Sequence, residues 1–251
     1  MMKNATTRLC AFAFAVTMVT SGLRAQDEPL PLQPQAHAAV PTPEPAKARP
    51  LDAGITRLFF APTARSLPRG RGSLGLTEIV FPSVDVGLTD RVSLGGVGVP
   101  PLEGLSDGGV GLTPKIQVLR HSRVQAAIGA MVQFPAVASG GIGYGVVTLG
   151  GTDAAATVGY GYGYGHAADS AGSPGVLFVG ADKAIGRSWR LMVEAYIGGA
   201  ALGLPDQTLI GGARFSRGRW SVELGAVIPI YETGSGLPLP RLQGGVGLLR
   251  A

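Results

Sequence analysis

A serine, a histidine and an aspartate lie within one short stretch of the chain, and these are the residue types of a hydrolase triad. His166, Asp169 and Ser170 fall between Gly165 and Pro174, in a segment rich in Gly, Ala and Ser. Catalysis of this kind needs rigid elements that hold nucleophile, base and orienting group within hydrogen-bond reach. A single flexible segment does not supply them, so we expect no catalytic residue. A lipid-modifying enzyme using His166 and Ser170 is the alternative.

Metal and cofactor chemistry has little support in the sequence. The three histidines, His37, His121 and His166, are far apart in the chain, so they do not have the spacing of a metal site. Two glycine-rich stretches, residues 70–72 and 95–98, resemble phosphate-binding loops, but no helical pattern follows either of them. We therefore expect no metal ion, no cofactor and no enzymatic activity.

A second group of candidate functional residues is polar or charged and alternates with apolar residues. In one such stretch Arg190 and Glu194 share a face that is opposite Trp189 and Leu191. If these polar faces line the lumen of a barrel, they form either a selectivity ring in a narrow pore or a salt-bridge network that braces and plugs it. The lumen candidates are Glu78, Asp85, Lys115, Gln117, Gln125, Gln133, Arg190, Glu194, Arg214 and Glu223.

The elements that would position these residues are β-strands with period-two alternation. The pattern predicts about twelve strands from residue 54 onward. They cover Gly54 to Pro62, Ser73 to Leu88, Arg91 to Val99, Gly108 to Leu119, Arg123 to Phe134, Gly140 to Leu149, Ala154 to Tyr164, Gly175 to Ala184, Ser188 to Gly198, Asp206 to Phe215, Arg219 to Pro229 and Arg241 to Arg250.

The connections between the predicted strands alternate between short turns and longer loops. Thr89-Asp90 and Gly151 to Asp153 are short, whereas Thr63 to Gly72 and Pro100 to Asp107 are long. Outer-membrane barrels have short periplasmic turns and longer outer loops. The sequence therefore predicts an all-β fold, a closed antiparallel up-and-down transmembrane barrel of about twelve strands, with both chain ends on the periplasmic side. A soluble secreted β protein, with the apolar faces inward, is the alternative.

The hairpin from Phe81 to Gly96 sets the register of this prediction, because its turn at Thr89-Asp90 is the first periplasmic reversal. Within Ser73 to Leu88 the apolar face changes phase near Pro82. We interpret that change as a β-bulge.

Aromatic residues mark where the barrel would meet the membrane surface. Tyr160, Tyr162 and Tyr164 share one face of a predicted strand, with glycines on the other face. Together with Trp189 and Trp220 they are candidates for interfacial girdles, where amphipathic rings lie at headgroup level. The alternative for the three tyrosines is a ladder that fills the lumen.

The composition excludes several other classes of protein. The 40 glycines show no three-residue period, which excludes collagen, and 45% hydrophobic residues exclude a disordered chain. The net charge of +5 suggests nucleic-acid binding. Three of the 21 basic residues, however, lie in the leader, which leaves 18 basic against 16 acidic residues without a basic stripe. We expect no nucleic-acid partner.

The N-terminal residues have the features of an export signal followed by a linker. Residues 1–25 combine Lys3 and Arg8 with an apolar run from Leu9 to Val19 and small residues up to Ala25. This is the layout of a secretory signal peptide. Residues 26–53 are rich in Pro and Ala and show neither apolar period, so we predict a disordered periplasmic tether, or a leader without a partner. Residues 54–251 would form the barrel.

The motif Arg57-Leu-Phe-Phe-Ala-Pro-Thr-Ala-Arg65-Ser-Leu67 is followed by Phe81-Pro-Ser83, Gly87-Leu-Thr-Asp90 and Ser93-Leu-Gly-Gly96. This pattern resembles a family of uncharacterised bacterial outer-membrane barrel proteins. In that family a Phe-Ala-Pro-Thr-(Gly/Ala)-Arg stretch precedes a long strand that ends in a Gly-Leu/Ile-Thr-Asp turn. The resemblance implies the fold and the location, and it supplies no catalytic residue. Such barrels commonly finish on an aromatic residue, whereas this chain finishes Leu248-Leu249-Arg250-Ala251.

Together these observations predict a structural barrel or narrow passive channel in a bacterial outer membrane, with its N-terminal segment in the periplasm. The expected partners are outer-membrane lipid and the barrel-insertion machinery.

Overall fold

The computed structural model of the protein describes residue 52 and residues 54–78, 80–100, 108–135, 140–165, 175–198, 207–231 and 234–248. These residues form β-strands and connections. The strands are β1 Gly72–Thr77, β2 Phe81–Gly87, β3 Val92–Val99, β4 Gly109–Arg120, β5 Val124–Pro135, β6 Gly140–Gly150, β7 Ala154–Gly165, β8 Gly175–Ile185, β9 Trp189–Ile197, β10 Gln207–Arg217, β11 Trp220–Tyr231, β12 Gly234–Ser235 and β13 Leu239–Leu248. No helix that could cross a membrane occurs within these ranges.

The strands close into an antiparallel barrel. Each strand from β1 to β11 pairs with the next one along the chain, β11 pairs with β13, and β13 returns to β1. The short strand β12 pairs only with the end of β11. Twelve strands therefore form the wall, and closure leaves no row of unpaired backbone groups at a sheet edge. This confirms the predicted fold class.

The two ends of the barrel carry different connections. Residues 88–91, 121–123, 151–153, 186–188 and 218–219 form short turns at one end, which we call the short-turn end. Gly72, where β1 starts, pairs with Leu248, where β13 finishes, so both of these strands also terminate there. The opposite end, which we call the loop end, carries the turn between Thr77 and Phe81 and the strand ends at Val99, Gly109, Pro135, Gly140, Gly165, Gly175, Ile197, Gln207, Tyr231 and Leu239.

Two of the predicted strands are wrong. The predicted number of wall strands is still correct, because one predicted strand is not in the wall and another is in fact two strands. Gly54 to Pro62 is not a wall strand and lies inside the barrel. Ser73 to Leu88 is two strands, because the chain reverses at residues 78–80, where Glu78 has a φ of 51°. This reversal explains the change of phase near Pro82, and the predicted bulge there is also wrong. A register shift between neighbouring strands occurs instead between Gln117 and Leu119.

The polarity of the wall is the inverse of that of a soluble globular protein. The outward faces are apolar, and about half of the surface of many large side chains is exposed, including Leu74, Val110, Ile116, Ile128 and Leu224. Charged residues point inward and are at most 5% exposed: Lys115, Asp182, Glu194, Arg214, Glu223 and Arg241. Soluble proteins almost never bury such groups while exposing so continuous an apolar surface.

The interior of the barrel is occupied by the segment that precedes β1. Residues 54–65, which we call the inner hairpin, reverse direction at Leu58, whose N–H bonds the carbonyl of Ala61 at 2.9 Å. Thr63 bonds back to the carbonyl of Thr56, also at 2.9 Å. The apolar residues of the hairpin pack with inward side chains of the wall to form the core: Leu58, Phe59, Ala61, Ala64, Ala127, Val146, Val176, Phe178, Met192, Tyr196 and Ile210.

Candidate functional site

Glu194, on the inward face of β9, binds the tip of the inner hairpin. Its carboxylate accepts hydrogen bonds from the backbone N–H groups of Phe59, Phe60 and Ala61 at 3.0–3.1 Å. The hydroxyl of Tyr196 donates a fourth hydrogen bond, at 3.2 Å. Four donors therefore converge on one carboxyl group, so one wall residue fixes the whole reversal of the hairpin.

Arg57 of the hairpin and Arg214 of β10 share the carboxylate of Glu223 on β11. Arg57 donates two parallel hydrogen bonds, at 3.0 and 3.1 Å, and Arg214 Nε donates a third, at 3.0 Å. Arg214 also donates to the carbonyls of Gly54 and Leu58, both at 2.9 Å. The guanidinium fork of Arg214 therefore joins the wall to both the beginning and the tip of the hairpin.

A second shared carboxylate lies close to the short-turn end. Asp182 of β8 pairs with Arg65 of the hairpin at 3.2 Å and with Arg190 of β9. Arg190 also pairs with Asp52 at 3.3 Å, and Arg214 reaches the same aspartate at 3.2 Å. Burial raises the pKa of Asp52, but the nearby charges of Arg214 and Arg190 lower it by more, so its pKa is below the ordinary value. Asp52 is thus held ionised at neutral pH.

Polar side chains on β4 and β6 bind both halves of the hairpin. Lys115 Nζ donates to the carbonyls of Thr56 and Thr63, both at 3.0 Å. Gln117 donates to the carbonyl of Ala64 at 2.7 Å and to the side chain of Gln125 at 3.0 Å. The hydroxyl of Thr148 accepts from the N–H of Ala64 at 2.9 Å. The buried backbone groups of the hairpin are therefore satisfied by the wall.

Arg241 of β13 also contacts the tip of the hairpin. Its guanidinium lies 3.4 Å from the centre of the Phe60 ring, which is a cation–π geometry. It pairs with Glu78 at 3.2 Å and donates to Gln243 at 3.1 Å. The reversal at residues 78–80 therefore brings the carboxylate of Glu78 to the loop-end mouth of the barrel, where its side chain is 37% exposed.

Two wall glycines make space for the tip of the hairpin. A Cβ at Gly180 of β8 would collide with Leu58, and one at Gly225 of β11 would lie 3.1 Å from the ring of Phe59. The first contact would force a shift, and the second is tighter than nine in ten real Cβ contacts, so each glycine forms a socket for one hairpin residue. The shape of the wall, as well as its charge, matches the hairpin.

A cavity of about 400 Å³ lies beside the hairpin. One side is polar, with Asp85, Ser93, Thr113 and Lys115, and the hairpin contributes Thr56, Arg57, Phe60 and Pro62. The opposite side is largely apolar and includes residues close to the loop-end termini of their strands: Met131, Ile142, Tyr144, Val176, Phe178 and Tyr196. The cavity therefore extends from the loop-end part of the barrel along the hairpin, and Ser93 in its lining is one residue from the short-turn end of β3.

The structure brings most of the sequence-predicted lumen candidates together around the hairpin. Lys115, Gln117, Arg190, Glu194, Arg214 and Glu223 bind it or bind its charged partners, and Asp85 lines the cavity. Glu78 is at the mouth rather than along a strand, and Gln133 is exposed. Sequence reasoning missed Arg57, Arg65, Asp182 and Arg241. The only signal for the two hairpin arginines was the motif that carries the family resemblance.

The aromatic candidates lie on the outer surface, in two groups. Tyr160, Tyr162 and Tyr164 approach the loop end on β7 and are each 43–57% exposed. Trp189 and Trp220 begin β9 and β11 next to short turns, and Trp189 packs on Phe215 with 5.0 Å between ring centres. The tyrosines therefore do not form a lumen-filling ladder.

His166, Asp169 and Ser170 lie outside the described residues, as do the predicted signal peptide, the tether apart from Asp52, and the last three residues of the chain. Among the described residues there is no cluster of three or more metal-ligating side chains.

The comparisons with known proteins find likeness in structure but not in sequence. No family model matches the chain, and no curated protein matches it. A solved structure described as "KdgM porin" matches with a TM-score of 0.50 and 8% identity over 71% of this chain and 97% of that one. A second, "KdgM porin in complex with disordered oligogalacturonate", matches with a TM-score of 0.51 and 8% identity over the same shares. At this identity the likeness shows that the chain has a porin-like barrel fold.

Proposed function

We propose that the chain is a bacterial outer-membrane β-barrel protein and forms a narrow passive channel. The observation that carries this proposal is the inverted polarity of the wall, with large apolar side chains exposed outside and acidic and basic side chains buried inside. Hydrocarbon can cover such an outer surface without leaving any backbone group unsatisfied, because the barrel has no free edge. The porin-like fold and the aromatic residues toward both ends of the outer surface support the same conclusion.

The orientation in the membrane is also a proposal. Bacterial outer-membrane barrels have short turns on the periplasmic side. The short-turn end carries the start of β1 and the finish of β13, so the N-terminal segment would enter from the periplasm. On this proposal Tyr160, Tyr162 and Tyr164 are interfacial residues at the outer surface, and Trp189 and Trp220 are interfacial residues at the periplasmic surface. Membrane lipid and the insertion machinery are the corresponding partners.

The lumen-lining candidates would present solutes with a mixture of positive and negative charges rather than with charges of a single sign. Among the described residues, the interior contains basic groups from Arg57, Arg65, Lys115, Arg190, Arg214 and Arg241. It contains an equal number of acidic ones, from Asp52, Glu78, Asp85, Asp182, Glu194 and Glu223. This balance does not favour a polyanion, so we do not extend the oligogalacturonate of the matched porin complex to this chain.

A structural barrel without passage is the second candidate, and the inner hairpin favours it because its residues fill much of the interior. The cavity favours the channel, because a purely structural barrel has no need of an ion-lined space that reaches toward one mouth. No enzymatic role is proposed.

The first test is heat-dependent gel mobility of the detergent-extracted protein. A closed membrane barrel resists unfolding by detergent at room temperature, so we expect the unheated sample to migrate faster than the boiled one. Recovery in the periplasmic supernatant with a single mobility would contradict a membrane barrel.

The second test is conductance in a planar lipid bilayer. Small unitary steps are expected for a narrow channel, whereas insertion without any step would favour the structural barrel.

A further inference from the structure

The cavity runs beside the inner hairpin, from Phe60 at its tip to Thr56 near its base, so the hairpin occupies part of the lumen and narrows the passage in this structure. Thr56, Arg57, Phe60 and Pro62 form the side of the cavity nearest the hairpin. Behind them, Leu58, Phe59, Ala61 and Ala64 are at most 1% exposed. A solute that entered from the loop end would therefore meet the hairpin.

The wall does not depend on the hairpin for its closure. Every wall strand pairs on both sides with another wall strand. The backbone bridge made by the hairpin joins Arg57 to Pro62 within the hairpin itself. Its contacts with the wall run mainly through side chains, so removing it would break no strand-to-strand hydrogen bond.

The ion pairs of the hairpin are arranged so that release leaves wall carboxylates with a partner. Asp182 pairs with Arg65 of the hairpin and also with Arg190 of the wall. Glu223 pairs with Arg57 of the hairpin and also with Arg214 of the wall. Stranding an ionised group in a dry interior is costly, and here the second arginine prevents it. Glu194 and Lys115 would face water in an open pore.

The hairpin is joined to the wall at the short-turn end. Residues 66–71 lead from it into β1. The N–H of Gly87 donates to the carbonyl of Arg71, and the carbonyl of Gly87 accepts from the N–H of Gly70, both at 2.8 Å. The N–H of Arg69 bonds the carboxylate of Asp90 in the first short turn at 3.0 Å. The second half of the hairpin thus leads to the short-turn mouth of the barrel, and Asp52, which precedes the first half, pairs with Arg190 next to the same mouth.

From this arrangement we propose that the inner hairpin is a releasable plug, which moves out toward the short-turn end and opens a continuous aqueous pore. The proposal rests on the proposed channel function. It assigns to residues 54–65 a gating role that is separate from holding the wall together.

The double variant Arg57→Ala/Arg65→Ala tests the plug. It removes both ion pairs from the hairpin side, while Asp182 and Glu223 keep their wall arginines. We expect the open time in a planar bilayer to rise at least about tenfold, since tenfold corresponds to only ~1.4 kcal/mol. Arg69→Ala is the matched control, because the side chain of Arg69 is exposed and its contact with Asp90 is made by the backbone.

A thiol at residue 64 reports directly whether the hairpin moves. Ala64 is fully buried, so Ala64→Cys is placed in a chain that also carries Cys10→Ser, which removes the one native cysteine. A water-soluble maleimide should label Cys at this position at least about tenfold faster in the double-alanine chain than in the chain with both arginines. A tenfold change again corresponds to ~1.4 kcal/mol.

The outcomes separate failure of the plug from failure of the channel. If the double variant retains heat-dependent mobility but neither open time nor labelling changes relative to the Arg69→Ala control, the plug proposal is wrong while the barrel stands. A rise in conductance without faster labelling would also overturn it, because the pore would then have widened around a fixed hairpin. If the unheated and boiled samples of the unmodified protein migrate equally, the membrane barrel itself is rejected.

Discussion

Replacing Ile128 by arginine is expected to lower the free energy of unfolding in lipid vesicles by about 2–4 kcal/mol. Ile128 lies near the middle of β5 and is 51% exposed on the outer face. In a soluble protein an exposed position of this kind would tolerate the change within about 0.5 kcal/mol. In a barrel that spans a membrane the side chain points into hydrocarbon, and the charge must be desolvated.

The free energies are measured by urea titration of the protein refolded into vesicles, with tryptophan fluorescence as the signal. Leu149→Arg is the matched control, because Leu149 is also on the outer face, with 47% exposure, but lies one residue from the end of β6. A charge close to the membrane surface costs only about 0–1 kcal/mol. Equal and small losses at both positions would mean that the apolar surface does not face lipid.

The wall of the barrel could be predicted from the sequence because its information is local. On β9 the residues alternate between an exposed face with Trp189 and Leu191 and a buried face with Met192 and Glu194. Side chains on a strand point alternately to either side, so a run of residues is sufficient to assign both faces. The short turns could be predicted for the same reason.

The reversal at Glu78 could not be predicted, because it depends on a non-glycine residue with positive φ. Such a conformation is uncommon, and Glu is not among the residues enriched in it. The salt bridge from Glu78 to Arg241 joins residues 163 positions apart, and no pattern in the sequence connects them. The strand predicted across this turn therefore had the right composition and the wrong topology.

The inner hairpin was missed for a related reason. Leu58, Phe59 and Ala61 have the composition of a strand, and a strand was predicted from Gly54 to Pro62. Their partners lie far away in the sequence, since Arg57 binds Glu223 across 166 positions. Alternation indicated that Glu194 and Glu223 face inward, but it carries no information about what fills the space they face. The filling of the interior by the hairpin is a property of the assembled barrel.

Replacing Arg214 by alanine is expected to destabilise the folded protein by about 3–5 kcal/mol, the usual cost of removing one member of a buried charge network. Arg214 is 1% exposed and donates to Glu223, to Asp52 and to the carbonyls of Gly54 and Leu58. Its loss leaves the two buried carbonyls without this donor.

The matched control is Arg217→Ala, because Arg217 is on the same strand but is exposed at the short-turn end. That change should cost no more than about 0.5 kcal/mol. Arg214→Lys should recover only part of the loss, because an ammonium group cannot reproduce the fork that reaches a carboxylate and two carbonyls together. If Arg214→Ala costs no more than Arg217→Ala, the interior around the hairpin is wet and its charges are screened. The hairpin would then be held by the apolar sockets at Gly180 and Gly225 rather than by its ion pairs.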